Sequence, residues 1–527
     1  MEEVEHMFNG EESSSEEDDS ETDDDDVRYP LPARRMPVHD DENIGLQPKQ
    51  PQCDRRPLGA TPQRVTGGSD EAEEARAPFQ PLTPITERTE RTDSSRWTLD
   101  VPSEDAMPYG GLRAPPTSLA IPNPCSPADP DIVSTLLSNL ARPVTQLPGY
   151  VDEAHESHYL SMLRSRLDAR SRRSSVGNGC DVQVADMQLS VYSRLGEGGF
   201  GSVFLAQDMN ESVPLAGEVT ASYADVDQDD IDELERRQML ALKIESPPNP
   251  WEFYILDQLR HRLPDQLQAS IVGARRFVSC ANESLLLLEY ASMGTLLELV
   301  NHAAEAGVSS VLGQGGGVEE VLAMFFVNEL CRIVQGMHEA GLIHGDLKID
   351  NCMIRADDVD EWTSTYAADG SGGWAAKGVT LIDFGRAIDM CCYPPDQRFL
   401  ADWQPGAQDC VEMREMRPWT YQADYYGLAS IAHCLLFGKY MDTTCYVNDD
   451  GLKTYKIQQS LRRYWQTDLW TRFFHLMLNS THYPAAGPPL TELRAEMDAW
   501  LTAHSFHAGK NLKGLLKKVE IWALRRV

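Results

Sequence analysis

Residues 342 to 351 read Leu-Ile-His-Gly-Asp-Leu-Lys-Ile-Asp-Asn, and their types and spacing suit one kind of chemistry. Asp346 can accept a proton from a hydroxyl, Lys348 can sit beside a transferred phosphate, and Asn351 can offer an amide oxygen to a cation. Asp383, in Ile382-Asp383-Phe384-Gly385, adds a hard carboxylate suited to magnesium. Together they fit phosphoryl transfer, provided that other parts of the chain hold a phosphate donor against them.

Two stretches could do so. Leu195-Gly196-Glu197-Gly198-Gly199-Phe200-Gly201 places glycines where a backbone could cover phosphates, though the same pattern could open a dinucleotide-binding βαβ unit. Val203, Phe204, Leu205 and Ala206 continue as a strand rather than a helix, which favours a phosphate-covering hairpin. Next, Met239-Leu240-Ala241-Leu242-Lys243-Ile244 is an apolar strand in which Lys243 breaks the alternation. A lysine in such a strand is costly unless paired, and Glu252, in the helix opened by Pro250-Trp251, is the expected partner.

The elements that must position these groups follow from periodicity. Leu285 to Ala291 reads as a buried strand running into the turn at Ser292-Met293-Gly294-Thr295. A core helix is expected from Val318 to Glu339, with Val321, Leu322, Phe325, Phe326, Leu330, Ile333 and Met337 at helical spacing. Gly313 to Gly317 has no preceding strand and reads as a loop before that helix. Gly370-Ser371-Gly372-Gly373 marks an inserted hairpin loop, and Val379 to Ile382 is the strand delivering Asp383. Asp424 opens another apolar helix and can tie back the backbone of the 342 to 351 loop. Upstream, helices are expected near Ile132 to Leu140, capped by Asp129 or Asp131, and from about Asp152 to Arg173.

Composition bounds the rest. Residues 1 to 26 hold 14 Asp or Glu and no Lys or Arg, and the chain to about 120 is rich in Pro, Ser, Thr and charge, so it is expected to be disordered, whereas the acidic insert near 209 to 238 is too polar to be core. Thr83, before Pro84, is a phosphosite of weak pattern. A formal net charge of -35 repels polyanions, so direct nucleic-acid binding is not expected. Eleven cysteines without a CxxC pair fit a reducing compartment, and no apolar run is long enough to span a membrane.

In order along the chain, the blocks from about 187 to 510 resemble a eukaryotic protein kinase. The finer resemblance is to the budding-uninhibited-by-benzimidazole family of spindle-checkpoint kinases, in a fungal-like form. It is carried by Trp251-Glu252-Phe253-Tyr254, His344-Gly345-Asp346, Cys410-Val411-Glu412-Met413 and Pro418-Trp419-Thr420-Tyr421-Gln422-Ala423-Asp424-Tyr425. Asn123-Pro124 and Leu147-Pro148-Gly149-Tyr150 resemble that family's extension wrapping the small lobe.

The resemblance implies an α+β bilobal kinase fold: residues 1–120 disordered, 121–186 a helical extension, 187–510 the kinase, and 511–527 a basic helix or tail. It implies ATP and Mg²⁺ as cofactors, with Gly196, Gly198, Gly201, Val203, Ala241, Lys243, Leu288, Glu289 and Ala291 around the nucleotide. Asn351 and Asp383 would hold the metal, and Asp346, Lys348, Lys243 and Glu252 would serve catalysis. It further implies a serine/threonine kinase of the nucleus and mitotic kinetochore, acting on kinetochore or chromatin proteins such as a core histone tail, with checkpoint proteins as partners and no membrane.

Two departures stand out. Gly345 occupies the place of an arginine that usually clamps a phosphorylated activation segment, so activity without that modification is expected. No Ala-Pro-Glu is evident in the segment from Asp389 to Glu412, where Glu412 is the anchor candidate. The family's N-terminal repeat domain and propeller-binding motif do not occur in these residues, so the chain is expected to be a C-terminal kinase portion. Two competing readings are a checkpoint pseudokinase scaffold and an adaptor working through residues 1 to 120. A Rossmann oxidoreductase leaves 342 to 351 without a purpose.

Overall fold

A computed structural model describes residues 121–171, 179–199, 201–210, 238–310, 316–483, 487–505 and 511–526. The acidic N-terminal 120 residues with Thr83, most of the 209 to 238 insert, Gly313 and Gly315 lie outside them. Among the described residues, no helix is long and apolar enough to cross a membrane.

A seven-stranded sheet forms the first layer. Its strands are β1 (Tyr150–Asp152), β2 (Cys180–Val184), β3 (Met187–Glu197), β4 (Gly201–Asp208), β5 (Met239–Glu245), β6 (Ala274–Ser279) and β7 (Ser284–Glu289), in the order β1-β6-β7-β5-β4-β3-β2. Only the β1 and β6 pair is parallel. In β7, Leu285 and Leu287 enter one apolar cluster while Leu286 and Leu288 enter another, as a central strand covered on both faces requires. In β5, Leu240, Leu242 and Ile244 are buried together on one face. Lys243 therefore keeps the alternation rather than breaking it: it shares the opposite face with Ala241 and Glu245.

The helix Tyr159–Ser171 covers the outer face of the sheet, burying Leu163 completely. It starts later than the periodicity suggests. Tyr150–Asp152 joins the sheet instead, and the Glu153 N–H donates to Ser279 O at 2.8 Å, because the polar run from Asp152 to His158 has no apolar face to bury. Glu283, in the β6–β7 turn, is 3% exposed and accepts from the N–H groups of Tyr159 and Leu160 at 2.6 and 3.2 Å. A carboxylate thus satisfies donors that the first helical turn leaves free.

The second layer is helical. Glu320–Glu339 is its axis, surrounded by Gln422–Phe437, Thr467–Leu478, Leu490–His504 and Leu512–Leu524. The last of these buries Leu512, Leu515, Val519 and Trp522, so it belongs to the core. Strands β8 (Leu342–Ile343), β9 (Cys352–Ala356), β10 (Lys377–Leu381) and β11 (Ile388–Asp389) line the face toward the sheet, with β8 paired to β11 and β9 to β10. The inserted loop between β9 and β10 is anchored by Tyr366 and Trp374, which pack against Phe325. A hairpin of β12 (Thr443–Val447) and β13 (Lys453–Ile457) was not evident from periodicity. Near the chain's first described residues, the helix Pro130–Ser138 is capped by the Asp129 carboxylate, which accepts from Asp131 N–H.

Leu163 gives a direct test of whether the upstream helix is part of the folded unit. Leu163→Ala should cost about 2–5 kcal/mol, the usual range for a fully buried leucine, and lower the thermal midpoint of the full chain. An unchanged midpoint would mean that the helix does not contribute to the sheet's stability.

Candidate active site

The loop from His344 to Asn351 hangs between β8 and β9. Its shape is imposed from behind: Asp424, with no exposed surface, accepts from the N–H groups of His344 and Gly345 at 2.8 and 2.9 Å, as the sequence suggested. His338 approaches the same carboxylate at 2.9 Å. Burial opposes ionisation of Asp424, yet its hydrogen bond with His338 and its attraction to His338 and His344 bring the pKa below the usual value. Gly345 has φ +76°, and a Cβ there would lie 2.5 Å from Arg386 O. An arginine at 345 would therefore be strained as well as crowded.

Within the loop, Lys348 Nζ donates to Asp346 Oδ2 at 2.9 Å, and Asn351 Nδ2 donates to Asp346 O at 2.9 Å. Burial works against the Lys348 charge, but Asp346 and Asp350 raise its pKa. Asn351 fixes the backbone of Asp346, which leaves its own side-chain oxygen as the group available to a cation.

Across the cleft, Lys243 Nζ lies 2.7 Å from Glu252 Oε2, 2.9 Å from Asp383 Oδ1 and 3.5 Å from Glu245 Oε1. Burial would lower the lysine pKa, but the surrounding carboxylates of Asp383, Glu252 and Glu245 raise it well above its ordinary value. Reciprocally, the Lys243 ammonium holds Asp383 well below the usual carboxylate range despite burial. Glu252, with no exposed surface, also accepts from Phe384 N–H at 3.0 Å through its second oxygen. One carboxylate thus reads both the lysine and the residue after Asp383. Asp383 itself sits at φ +63°, a left-handed conformation uncommon for residues other than glycine.

The glycine stretch is the turn joining β3 to β4, where Gly198 N–H donates to Gly201 O at 3.0 Å. Phe200 lies outside the described residues. A Cβ on Gly201 would fall 2.0 Å from Ile244 O, while one on Gly196 would meet nothing within 4 Å. The first glycine thus lets two strands touch, and the other faces open space. Cross-strand register puts Val203 opposite Lys243 and Ala241 opposite Leu288, so these four share the face of the sheet turned to the cleft. Glu289 ends β7, with Ala291 just beyond it.

These residues fit ATP with magnesium by the chemistry of their donors. Asp383 and Asn351 offer hard oxygens, and magnesium commonly takes one or two protein ligands and completes its shell with phosphate oxygens and water.

The segment from Asp389 to Glu412 is held at several points. Phe399 N–H donates to Trp419 O at 2.9 Å, and Trp419 N–H returns the bond at 2.9 Å. From the extension, Cys125 O accepts from Leu400 N–H at 2.9 Å, and the Asn123 amide bonds to Asp396 O and Arg398 N–H, each at 3.0 Å. Glu412 is 3% exposed and lies 3.8 Å from Arg417.

Sequence reasoning missed several residues that contact this site. Trp251 Nε1 donates to Ala387 O at 2.7 Å, and Arg262 pairs with Asp389 at 2.8 Å. Arg164, from the helix outside the sheet, donates to Ser202 Oγ at 2.9 Å and meets Glu197 at 3.1 Å, beside the glycine turn. Sequence distance hides all three pairs. Only the Trp251 motif carried a signal, and that signal was a resemblance without a contact attached.

The protein kinase domain family model matches residues 189–479. The spindle assembly checkpoint serine/threonine-protein kinase bub1 of Schizosaccharomyces pombe is 38% identical over 381 residues, covering 69% of this chain and 35% of the relative. Its Saccharomyces cerevisiae counterpart, also named a spindle assembly checkpoint serine/threonine-protein kinase, is 33% identical over 381 residues, covering 72% and 34%. The Arabidopsis thaliana mitotic checkpoint serine/threonine-protein kinase is 32% identical over 340 residues, covering 64% and 58%. The chain thus spans about a third of the length of the two yeast relatives. The crystal structure of the BubR1 kinase domain matches with a TM-score of 0.56 at 23% identity, covering 76% of this chain and 99% of that one, a likeness of fold. By the family model and by these relatives, the chain belongs to the protein kinase family and is homologous over its kinase region to the Bub1 checkpoint kinases.

Proposed function

We propose that the chain is an ATP- and magnesium-dependent serine/threonine kinase of the mitotic spindle checkpoint. The observation that carries this reading is the pairing of Glu252, Lys243 and Asp383 across one side of a cleft whose other side holds Asp346, Lys348 and Asn351. Retention of a buried Glu252 joined to both Lys243 and the backbone after Asp383 supports this reading over the alternative of a checkpoint pseudokinase scaffold.

In this reading the glycine-turn backbone and Lys243 hold the ATP phosphates, while Val203, Ala241, Leu288, Glu289 and Ala291 surround the base. Asp383 and Asn351 hold magnesium, which when bound neutralises charge developing on the phosphate oxygens. Asp346 orients the substrate hydroxyl and takes its proton, and Lys348 keeps a positive charge beside it. Substrates would be kinetochore or chromatin proteins, a core histone tail among them, in the mitotic nucleus. The names of the relatives support the checkpoint role, and a net charge of -35 is compatible with basic substrates.

The same reading has the cleft active without phosphate on the segment from Asp389 to Glu412, because Gly345 stands where the arginine that would clamp such a phosphate is expected.

Asp346→Asn should lower transfer of labelled phosphate to a protein substrate by about 10²- to 10⁴-fold, the span of a lost general base, with ATP affinity unchanged. Full transfer by the variant would remove Asp346 from the chemistry. Gly345→Arg should lower stability by about 1–3 kcal/mol, the cost of a non-glycine residue held in a sparsely populated backbone region, read as a drop in denaturation midpoint. A midpoint equal to wild type would show that the loop accommodates an arginine there.

A further inference from the structure

The helix Trp251–Arg262 carries Glu252 at its start, and a single salt bridge at that end would leave the helix free to swing. Its far end is also tied. Arg262 donates through Nη1 to Asp389 Oδ1 and through Nη2 to Asp389 Oδ2, each at 2.8 Å, a two-pronged geometry that fixes orientation as well as distance. Asp389 has no exposed surface. Its carboxylate also accepts from Tyr254 Oη at 2.8 Å and from Cys391 N–H at 3.0 Å, with Cys392 Sγ at 3.5 Å. Arg262 is aimed by Gln258 Oε1, to which Nη2 donates at 2.7 Å.

Asp389 is well placed to transmit this hold. It belongs to β11, paired in register with Leu342 of β8, and the next residue's N–H donates to Gly341 O at 2.9 Å, directly before the catalytic loop. Six residues earlier is Asp383. The stretch between is pinned to the start of the same helix by Phe384 N–H on Glu252 and by Trp251 Nε1 on Ala387 O. The segment from Asp383 to Asp389 therefore contacts both ends of the helix and pairs with the strand that leads into the 344 to 351 loop. Rotating the helix outward would strand a buried carboxylate without its cation, a state that proteins avoid.

We propose that Arg262, Tyr254 and Asp389 form a positioning unit that holds Glu252 on Lys243 and Phe384, in the role that a phosphate on the activation segment would otherwise fill. The three are positioning residues, since each acts through Glu252. The inference rests on the kinase reading, and its test separates the two.

The experiment uses the full chain with Arg262→Gln in two backgrounds, wild type and Glu252→Gln, measuring kcat and KM for ATP. If Arg262 works through Glu252, its loss should lower kcat about tenfold to a hundredfold in the wild-type background, as expected for a small misplacement of reacting groups. It should then have little further effect once Glu252 is gone, because the two changes are coupled. Arg262→Lys should recover part of the rate. Equal losses in both backgrounds, or none, would overturn the proposal. Tyr254→Phe keeps the ring and removes only the hydroxyl, so it gives the same comparison if Arg262→Gln does not fold. Hydrogen exchange supplies a readout independent of transfer: Arg262→Gln should speed exchange over residues 251–256 and leave 320–339 as in wild type. A wild-type chain that transfers no phosphate would sink the kinase reading. Exchange over 251–256 unchanged by Arg262→Gln would sink the positioning unit.

Discussion

Lys243 is an ammonium in a half-buried cleft with three carboxylates within 3.5 Å. Neither lysine nor carboxylates would be stable there alone, since a charge out of water must be matched by an opposite one. Together they set a geometric condition that the rest of the fold must meet. Glu252 comes from a helix, Lys243 from the middle of a sheet and Asp383 from a loop at the edge of the helical layer, so the helix, sheet and loop must keep one mutual position. Most of the long-range contacts around the cleft can be understood as serving that requirement.

Strand β5 meets it by simple alternation. Leu240, Leu242 and Ile244 go to one side of the sheet, under the helix Tyr159–Ser171, and Ala241 and Lys243 go to the cleft. The segment upstream of the kinase blocks is therefore bound into the outer core of the sheet through Leu163 and, further upstream, into the segment after Asp383 through Asn123 and Cys125. On the helical side, buried Asp424 fixes the backbone of the loop from His344 to Asn351 by charge-assisted hydrogen bonds to the His344 and Gly345 N–H groups.

Much of this was legible in the sequence because the relevant signals are local. The spacing within 342 to 351, the glycines at 196, 198 and 201, and the apolar run around Lys243 each lie within about one element, where residue type and period are informative. The partnership of Lys243 with Glu252 and the tie from Asp424 were also legible, because a charged residue in an apolar stretch implies a partner. Other features were not. The helix expected from Asp152 begins at Tyr159 because Tyr150–Asp152 gains a parallel strand partner more than a hundred residues away, which no local pattern reports. Arg262 and Asp389, 127 residues apart, look in sequence like two ordinary surface charges. Gly345 was legible as an unusual residue, but only the backbone φ and the nearness of Arg386 O give it a physical reason.

The central claim is that contacts within the chain, with no added phosphate, assemble the transfer geometry. It is tested most directly by treating the full chain with a broad-specificity phosphatase, verifying by mass spectrometry that residues 386–412 carry no phosphate, and measuring the initial rate of phosphate transfer to a protein substrate. The account predicts the same rate as untreated protein. A rate that collapses on treatment and returns on rephosphorylation would contradict it.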